Sequence, residues 1–418
     1  MTGWTRRKLG IGVAALGLAP GPARAQAKPR VVVIGGGIGG ATAAKYLAMG
    51  DALDVTLVEP KSHYATCVFS NLYLAGLWSL ESLTYGYEAL TRRYGVAIVQ
   101  DAAVAIDPDI KRVRLAGGAS LSYERLVVSP GIAFRFGEID GYDDGATGSM
   151  PHAWSAGSQT KLLRARLEAM EDGGVFVIVT PPAPFRCPPG PYERASLAAY
   201  YFKQFKPRSK IIILDAQDSF FQQEVFRDGW DRHYPGMIEW LPARSTGGVT
   251  AVEFPAGFVR TARETVRASV ANVIPRQVAG EVAHIAGLVD ARGWCPVDPQ
   301  TFESKLRPGI HVVGDAALAG DMPKSAFCAN VQAKACASAI RTALTGARLS
   351  RLHLLSTFYT FLAGNDAMAD AAVFAPANGM IKLQDAFQTQ PGEQPETRRR
   401  NAKEALGWYD AFTRDVFG

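Results

Sequence analysis

Short runs of consecutive apolar residues recur along the chain, and each is followed by a turn and then by a helix-forming stretch. Apolar runs of four or five residues without alternation are typical of strands that are buried on both faces of a parallel sheet. The pattern therefore predicts an α/β protein built from strand–helix–strand units. The clearest predicted strands are residues 31–34, 55–58, 175–179 and 210–214, and the predicted helices are residues 41–49, 192–205 and 325–343.

The first strand–helix–strand unit carries a dinucleotide-binding motif. Gly35, Gly37 and Gly40 form G-x-G-x-x-G between a strand and a helix, and Glu59 ends the next strand. Such glycines let the backbone approach a pyrophosphate at a helix N-terminus, and the acid accepts a hydrogen bond from a ribose hydroxyl. The glycine motif alone is weak evidence, but strand, loop, helix, strand and acid in register predict a dinucleotide site.

Two later segments indicate which dinucleotide binds. Residues 309–317 form a strand ending in Gly-Asp, as in flavoproteins with two dinucleotide domains, where Asp315 would meet the flavin ribityl chain. The helix that follows would point its N-terminus at the flavin ring and stabilise negative charge there. Residues 126–134, which include Gly131, resemble the other strand-and-glycine crossing of that fold. We therefore predict that the cofactor is FAD.

The second unit repeats the strand–helix–strand order but lacks a phosphate-binding loop. Pro181 and Pro182 stand where the glycines would be expected, and Asp215 ends the following strand. Proline has no N–H to offer a phosphate, and its ring blocks close approach of a ligand to the backbone. This domain is therefore predicted not to bind NAD(P)H.

One cysteine of this second unit, Cys187, lies in a proline-rich loop, FRCPPGPYERA. The loop would lie at the carboxyl edge of the sheet, beside a helix N-terminus that lowers a thiol pKa. Glu193 in the first helical turn is a candidate base, although its charge would raise that pKa. We interpret Cys187 as a redox thiol and expect a thiolate at neutral pH if Glu193 is solvated or protonated. The alternative is a thiol packed like a small apolar residue.

The N-terminal segment has the features of an export signal. Arg6, Arg7 and Lys8 precede a short apolar run, and an A-x-A cleavage site ends at Ala25. This order predicts a twin-arginine signal peptide and a periplasmic location. The segment carries four basic residues and no acid, so the net charge of +6 falls to +2 without it, which gives no reason to expect nucleic-acid binding. The apolar run is shorter than the roughly 20 residues that span a bilayer, so no integral membrane segment is expected in the mature chain.

The cysteines narrow the chemistry further. Their spacings fit no zinc-binding pattern, so no metal site is predicted. An odd number in an oxidising compartment leaves at least one thiol without a cysteine partner. The five cysteines are Cys67, Cys187, Cys295, Cys328 and Cys336.

From about Arg30 to Gly418, the chain resembles the flavoprotein subunit of flavocytochrome c sulfide dehydrogenase, a family related to the sulfide:quinone reductases. The resemblance implies two Rossmann-like dinucleotide-binding domains of the disulfide-reductase type and a C-terminal α+β docking domain. The expected division is a signal peptide over 1–25, an FAD domain over 26–141 and 280–347, a second nucleotide-like domain over 142–279, and the docking domain over 348–418. The stretches that carry the resemblance are GGATAAKYL, YATCVFSN, MPHAWSAGSQT, PPAPFRCPPGPYERAS, GWCPVDPQTFES and MPKS.

The resemblance also implies roles for particular residues. Cys67 matches the cysteine that the family bonds covalently to FAD, Cys187 matches the first redox cysteine, and Glu193 matches a nearby carboxylate. The family's second redox cysteine, however, aligns with Phe358, so the usual disulfide cannot form. Cys328, in the first turn of the helix directed at the flavin, is the candidate substitute, and a core-packing role is its alternative.

The leading functional prediction is a periplasmic FAD-dependent sulfide dehydrogenase subunit. Sulfide would form a persulfide on Cys187, and electrons would pass to a c-type cytochrome partner. The chain has no C-x-x-C-H motif, so haem would belong to that partner. One alternative is a sulfide:quinone reductase, and another is an accessory flavoprotein of a sulfur-oxidising complex that does not complete turnover.

Overall fold

The computed structural model describes residues 27–254, 256–346 and 354–418. The predicted signal peptide therefore lies outside the described residues. The first part of the chain forms a parallel sheet with short antiparallel additions. Its elements are β1 (Arg30–Ile34), α1 (Ile38–Ala48), β2 (Asp54–Val58), β3 (Tyr64–Ala65), α2 (Ser70–Leu74), β4 (Thr84–Tyr85), α3 (Glu88–Tyr94), β5 (Ala97–Val99), β6 (Ala103–Asp107), β7 (Arg112–Leu115), β8 (Ser120–Ser122), β9 (Arg125–Val128) and β10 (Ile132–Arg135).

The second nucleotide-like domain follows, with a second parallel sheet. Its elements are α4 (Ser158–Ala169), β11 (Val175–Val179), α5 (Gly190–Phe205), β12 (Lys210–Leu214), α6 (Gln223–His233), β13 (Ile238–Leu241), α7 (Ala243–Thr246), β14 (Val249–Glu253), β15 (Phe258–Thr261), β16 (Thr265–Arg267) and β17 (Val270–Val273).

The chain then returns to the first domain and ends in a sheet and a long helix. These elements are β18 (Arg276–Ala279), α8 (Glu281–Ile285), β19 (Cys295–Pro296), β20 (Ile310–Val312), β21 (Ala317–Leu318), α9 (Ala326–Thr345), β22 (Leu354–Ala363), β23 (Asp366–Ala377), β24 (Met380–Gln388) and α10 (Pro395–Phe417).

Two parallel sheets organise the molecule. The first has the order β20-β9-β1-β2-β5, and the second has the order β13-β12-β11-β17. The apolar runs that predicted β1 and β11 are buried in the structure, as they must be when helices cover both faces of a sheet. Each fully buried valine or leucine contributes about 1.5–3 kcal/mol. Strands β10 and β18 pair antiparallel where the chain passes between the two domains.

The C-terminal region is an antiparallel sheet, β22-β23-β24, against which α10 packs. The predicted fold class, two Rossmann-like domains with a C-terminal α+β domain, is therefore confirmed. The proline- and glycine-containing segment PGEQPETRRR, residues 391–400, is a loop pattern by sequence, but helix α10 begins within it at Pro395. Proline is favoured in the first turn of a helix, where its missing N–H is not needed, and here it starts the helix.

The aromatic residues near the C-terminus face the interior. Their spacing in the sequence fits a surface that docks a partner, but Tyr409, Phe412 and Phe417 are at most 5% exposed. Tyr409 stacks on Phe69 and Phe417 stacks on Tyr85, so α10 uses its aromatic face to hold the domains together. Among the helices within the described ranges, none combines the length and the apolar character needed to cross a bilayer.

Candidate functional site

The predicted cofactor residues converge on one cavity of about 600 Å³ at the carboxyl ends of β1, β2 and β9. We call it the flavin cavity. The first turn of α9 also reaches it, through Ala326 and Ala329, as the helix-dipole prediction requires. Gly40, also predicted to bind the cofactor, is not among the described residues that line it. The predicted residues that line the cavity are Gly35, Gly37, Glu59, Cys67, Gly131 and Asp315.

The glycine turn of this cavity accepts no side chain at two positions. Gly35 has a φ of 96°, and a β-carbon there would lie 2.3 Å from the carbonyl oxygen of Ser129. A β-carbon on Gly40 would lie 1.7 Å from the carbonyl oxygen of Gly35. The two glycines therefore allow β1, the turn and α1 to pack closely, which leaves the backbone at Gly37 open to the cavity.

The polar groups of the cavity suit a dinucleotide with hydroxyl groups. Glu59 accepts hydrogen bonds from the backbone N–H groups of Gly36 and Lys61 at 2.7 and 3.0 Å, which fixes its carboxylate in the cavity wall. Asp315 Oδ1 is buried and has no hydrogen-bond partner among the described residues. An unpartnered buried acceptor calls for a donor, and a ribityl hydroxyl supplies one. The residues present therefore fit FAD.

A second cavity of about 340 Å³ adjoins the first, and Cys67, Arg186 and Ala326 line both. We call it the Cys187 chamber, because Cys187 and Glu193 both lie in its wall. Apart from these groups, most of its lining is apolar. The aromatic residues of the lining are Phe69, Trp154, Phe221, Phe327, Phe358, Tyr359, Phe374 and Trp408.

The backbone around Cys187 is fixed on both sides. Cys187 has a φ of 57°, a left-handed conformation that non-glycine residues rarely adopt. Its N–H donates to the carbonyl of Lys324 at 2.7 Å, and its carbonyl accepts from the N–H of Gly190 at 2.8 Å. A β-carbon on Gly190 would lie 3.2 Å from the Cys187 sulfur, so the thiol sits against the start of α5. Strain of this kind persists where the surroundings impose it, often at functional sites.

The protonation state expected for Cys187 needs correction. Burial, and then the carboxylate of Glu193, raise the pKa of the Cys187 thiol well above its usual range, whereas Arg186 opposes the shift. The raised pKa favours the protonated thiol over the thiolate that was expected if Glu193 were solvated or protonated. The prediction counted the helix N-terminus, but sequence alone did not show that both sulfur and carboxyl are enclosed.

Glu193 is placed to exchange protons. Its Oε1 accepts from the N–H of Phe361 at 2.9 Å, and its Oε2 accepts from Asn71 Nδ2 at 2.7 Å. Burial raises its pKa to about 7, against the lowering effect of these two hydrogen bonds. A carboxyl poised near neutral pH beside a protonated thiol is suited to act as its general base.

Two arginines complete the site, and sequence reasoning assigned them no role. Arg186 lies between the cavities, where its guanidinium is 3.7 Å from Asp315 Oδ2 and donates to the carbonyl of Trp154. Arg194 is 2% exposed and donates to Asn71 Oδ1 at 3.1 Å, so Asn71 connects it with Glu193. The signal was present in the sequence, because each arginine directly adjoins a predicted site residue in FRC and YER.

Besides Cys187, only Cys67 is a cysteine among the described residues that line the chamber. Phe358, at the position of the expected second cysteine, does line it, so this position faces the site with an aromatic ring. Cys328 is fully buried and is not among the described residues that line either cavity. Its role as a partner of Cys187 stays a prediction without support from the geometry. Cys295 and Cys336 are also fully buried.

Asp215, the acid at the end of the second strand of the second nucleotide-like domain, is hydrogen-bonded to other side chains of the protein. Asp215 Oδ1 accepts from Thr180 and from Gln217, and Oδ2 accepts from Tyr192 and Trp240, each at 2.7 Å. A carboxylate with these partners has little capacity left for a ribose hydroxyl. This arrangement adds to the argument from the missing glycine loop against a nicotinamide site.

The fold and the two cavities define a flavoprotein with the architecture of the disulfide reductases. Residues 29–166 match the family described as pyridine nucleotide-disulphide oxidoreductase. Residues 160–275 match the central part of the sulfide dehydrogenase [flavocytochrome c] flavoprotein chain, and residues 352–417 match the flavin-binding part of flavocytochrome c sulphide dehydrogenase. The chain belongs to the family of flavocytochrome c sulfide dehydrogenase flavoproteins, whose members bind a flavin.

Individual relatives agree with this assignment. A segment of 43 residues is 63% identical to the sulfide dehydrogenase [flavocytochrome c] flavoprotein chain of Chlorobaculum thiosulfatiphilum, covering 10% of this chain and 90% of that sequence. Mitochondrial sulfide:quinone oxidoreductase of Mus musculus is 26% identical over 318 residues, 73% of this chain and 68% of that protein. The solved structure of sulfide:quinone oxidoreductase from Aquifex aeolicus has the same fold, with a TM-score of 0.73 at 18% identity over 93% of this chain and 91% of that one.

Proposed function

We propose that this protein is an FAD-dependent sulfide dehydrogenase in which Cys187 takes up the sulfur of sulfide as a persulfide. The observation that carries the proposal is the contact between two cavities. The Cys187 chamber holds a thiol and a general base, and it shares Cys67, Arg186 and Ala326 with the flavin cavity. A persulfide on Cys187 would therefore form next to the flavin, which accepts the electrons.

The chain's own residues perform the proton and charge steps. Glu193 accepts the proton of the Cys187 thiol, held in place by Asn71 and by the N–H of Phe361. Arg186 favours anionic sulfur at the boundary of the cavities, because its guanidinium is the nearby positive charge that opposes the rise in the thiol pKa. Bound FAD supplies the ability to accept two electrons together and release them one at a time.

The phenylalanine at position 358, where the family's second redox cysteine was expected, shapes the proposed reaction. Phe358 cannot form a disulfide with Cys187, so the sulfur that pairs with Cys187 comes from the substrate. The persulfide then needs another sulfur nucleophile to release it. Phe358 is also the observation that favours the alternative of an accessory flavoprotein, in which Cys187 reacts once and turnover stops.

We further propose that FAD is bonded covalently to Cys67. Cys67 lines the flavin cavity, and in the resemblance it corresponds to the cysteine that carries the flavin. Acid precipitation of the wild-type protein should leave the yellow colour in the pellet, and Cys67→Ala should release all its flavin into the supernatant. The alanine variant should still bind FAD before acid treatment, because Glu59, Asp315 and the glycine turn remain. Cys295→Ala is the matched control and should keep its flavin in the pellet, whereas complete release from the wild type would contradict a covalent bond.

The proposed acceptor is a c-type cytochrome subunit in the periplasm, to which the twin-arginine segment would direct the protein. The haem would belong to that subunit. A quinone is the other candidate acceptor, supported by the relatives that are named sulfide:quinone oxidoreductases.

Anaerobic mixing of the purified protein with sulfide tests the donor and then the acceptor. Sulfide should bleach the flavin, and oxidised cytochrome c with its haem subunit should restore the colour faster than a short-chain ubiquinone does. Millimolar NADH is the control donor and should leave the flavin oxidised, because the second domain lacks a phosphate loop. Failure of sulfide to bleach the flavin would contradict the proposed function. Rapid bleaching by NADH would show that the second domain binds a nicotinamide after all. Faster recovery of the colour with quinone would identify quinone, and not the cytochrome, as the acceptor.

A further inference from the structure

One wall of the Cys187 chamber carries a buried carboxyl that the reaction outlined above does not use. Asp370 lies in β23, is 5% exposed and lines the chamber. Strand pairing places it opposite Phe358 of β22 and opposite Gln388 of β24, and both of these residues also line the chamber. Asp370 is therefore part of the same wall as the position where a second cysteine was expected.

The hydrogen bonding of this carboxyl is incomplete in a specific way. Gln222 Nε2 donates to Asp370 Oδ1. Asp370 Oδ2 and Gln222 Oε1 are each buried, and neither has a hydrogen-bond partner among the described residues. A carboxylic acid facing a primary amide makes two hydrogen bonds, from N–H to carbonyl oxygen and from O–H to amide oxygen. One proton on Oδ2 therefore satisfies both unpartnered oxygens at once.

The backbone holds Gln222 in a conformation that supports a functional role. Its φ is 54°, in the left-handed region. Phe69, Ala153 and Cys187 are also left-handed, and all three line the chamber. Left-handed non-glycine residues cost free energy and tend to mark functional sites, so their concentration around one cavity points to a constrained site, to which Gln222 is joined by its hydrogen bond to Asp370.

The electrostatic surroundings allow the carboxyl to change its protonation state. Burial raises the pKa of Asp370 to about 7, and the hydrogen bond from Gln222 partly opposes that shift. Charged groups on the neighbouring elements are paired with one another, lie over an aromatic ring or are exposed. The pairs are Asp366 with His233 and Arg398, Lys382 with Asp321, Asp228 with Arg232, Arg399 with Glu396, and Arg400 with Glu404, and Arg227 lies over Trp240. The exposed ones include Glu224 and Asp231 of α6, Asp385 of β24, and Lys403 and Asp410 of α10.

We propose that Asp370, oriented by Gln222, is a second proton-exchanging residue of the chamber and accepts a proton from the sulfur substrate. This role rests on the proposed function. Hydrogen sulfide and the Cys187 thiol form the Cys187 persulfide by losing two protons and two electrons. Bound FAD would supply the two-electron oxidant, while Glu193 takes the thiol proton and Asp370 takes one proton of hydrogen sulfide. The new O–H of Asp370 donates to Gln222 Oε1.

Infrared spectroscopy of the flavin-loaded protein tests the acid–amide pair without turnover. Glu193 and Asp370 both have a pKa of about 7, so the wild type should show the carbonyl stretches of two protonated carboxyls that titrate near neutral pH, and Asp370→Asn should lose one of them. Asparagine has the shape of the protonated acid and can make an amide–amide pair with Gln222, so this variant should fold and bind flavin normally. Asp385→Asn, which alters an exposed acid on β24, is the matched control and should keep both bands. If the spectra of the wild type and Asp370→Asn show the same carboxyl bands, the proposed acid–amide pair of Asp370 and Gln222 is wrong.

Stability provides a second readout. The folded-state pKa of Asp370 lies above its ordinary value, so the folded protein binds more protons than the unfolded chain between about pH 4 and 7. The wild type should therefore lose stability relative to Asp370→Asn as pH rises through this window, measured by the midpoint of urea unfolding. A constant difference between the two proteins across the window would contradict the raised pKa.

Kinetics test the role in the reaction. Asp370→Asn should slow sulfide-dependent bleaching of the flavin by about 10²-fold, the usual lower range for loss of an acid–base group. If Asp370→Asn loses the infrared band but bleaches at the wild-type rate, Asp370 does not exchange a proton with the substrate, although its hydrogen bonds with Gln222 would stand. A wild-type protein that sulfide does not bleach would overturn the proposed function and with it this role, while the infrared band would still report the acid–amide pair.

Discussion

Cys187→Ser should abolish sulfide-dependent bleaching of the flavin, lowering its rate on the order of 10³-fold or more, as loss of a nucleophile does in other enzymes. Serine has nearly the same shape, but its oxygen cannot form the sulfur–sulfur bond on which the proposed reaction depends. Stopped-flow absorbance of the anaerobic protein mixed with sulfide measures the effect. Cys187 is not among the described residues that line the flavin cavity, so the variant should retain its flavin and its visible spectrum.

The other cysteines provide matched controls for this result. Cys295→Ser and Cys336→Ser change thiols that are fully buried elsewhere in the core, and both should leave the bleaching rate unchanged once folding is verified. Cys328→Ser should also have little effect, because Cys328 is not among the described residues that line the chamber. A strong loss of activity in Cys328→Ser would restore that residue as the partner of Cys187. Full activity in Cys187→Ser would refute the assignment of Cys187 as the sulfur-reactive residue, and the proline-rich loop would then have only a structural role.

Glu193→Gln should lower the bleaching rate by about 10²-fold, because an amide cannot accept the thiol proton. The pKa of Glu193 is about 7, and a base works only in its ionised form. The wild-type rate should therefore rise with pH through about 7, and this rising limb should be reduced or lost in Glu193→Gln. Stopped-flow rates measured between pH 5.5 and pH 8.5, a range of about 1.5 pH units on either side of that value, check the prediction.

A distant glutamate separates this effect from a change in overall charge. Glu88 also lies in the first turn of a helix, but it is exposed, so Glu88→Gln should keep both the rate and the rising limb. Glu193→Asp retains the carboxyl on a shorter side chain and should recover part of the rate. A wild-type profile that is flat across pH 7, together with an active Glu193→Gln, would show that another group takes the proton.

Sequence by itself determined the features that depend on local patterns. The buried strands β1 and β11, the glycine turn after β1, the acid Glu59 and the proline-rich loop around Cys187 are each encoded within a few neighbouring residues. Strand burial follows from an uninterrupted apolar run, and the glycines at 35 and 40 follow from steric limits that the spacing already implies. For this reason the fold class and the flavin site can be predicted from the sequence alone.

Tertiary structure decided what depends on residues far apart in the chain. The pKa of the Cys187 thiol is raised because the packing of the domains buries it beside Glu193, and burial is not a property of either residue alone. The pairing of Asp370 with Gln222 joins side chains 148 positions apart. The only sequence signal for that pair was an aspartate within the otherwise apolar run that follows Asp366 in β23. The C-terminal aromatics were misread for the same reason: their spacing fits an exposed docking face and a buried one equally well, and only the position of α10 against the domains places them inside.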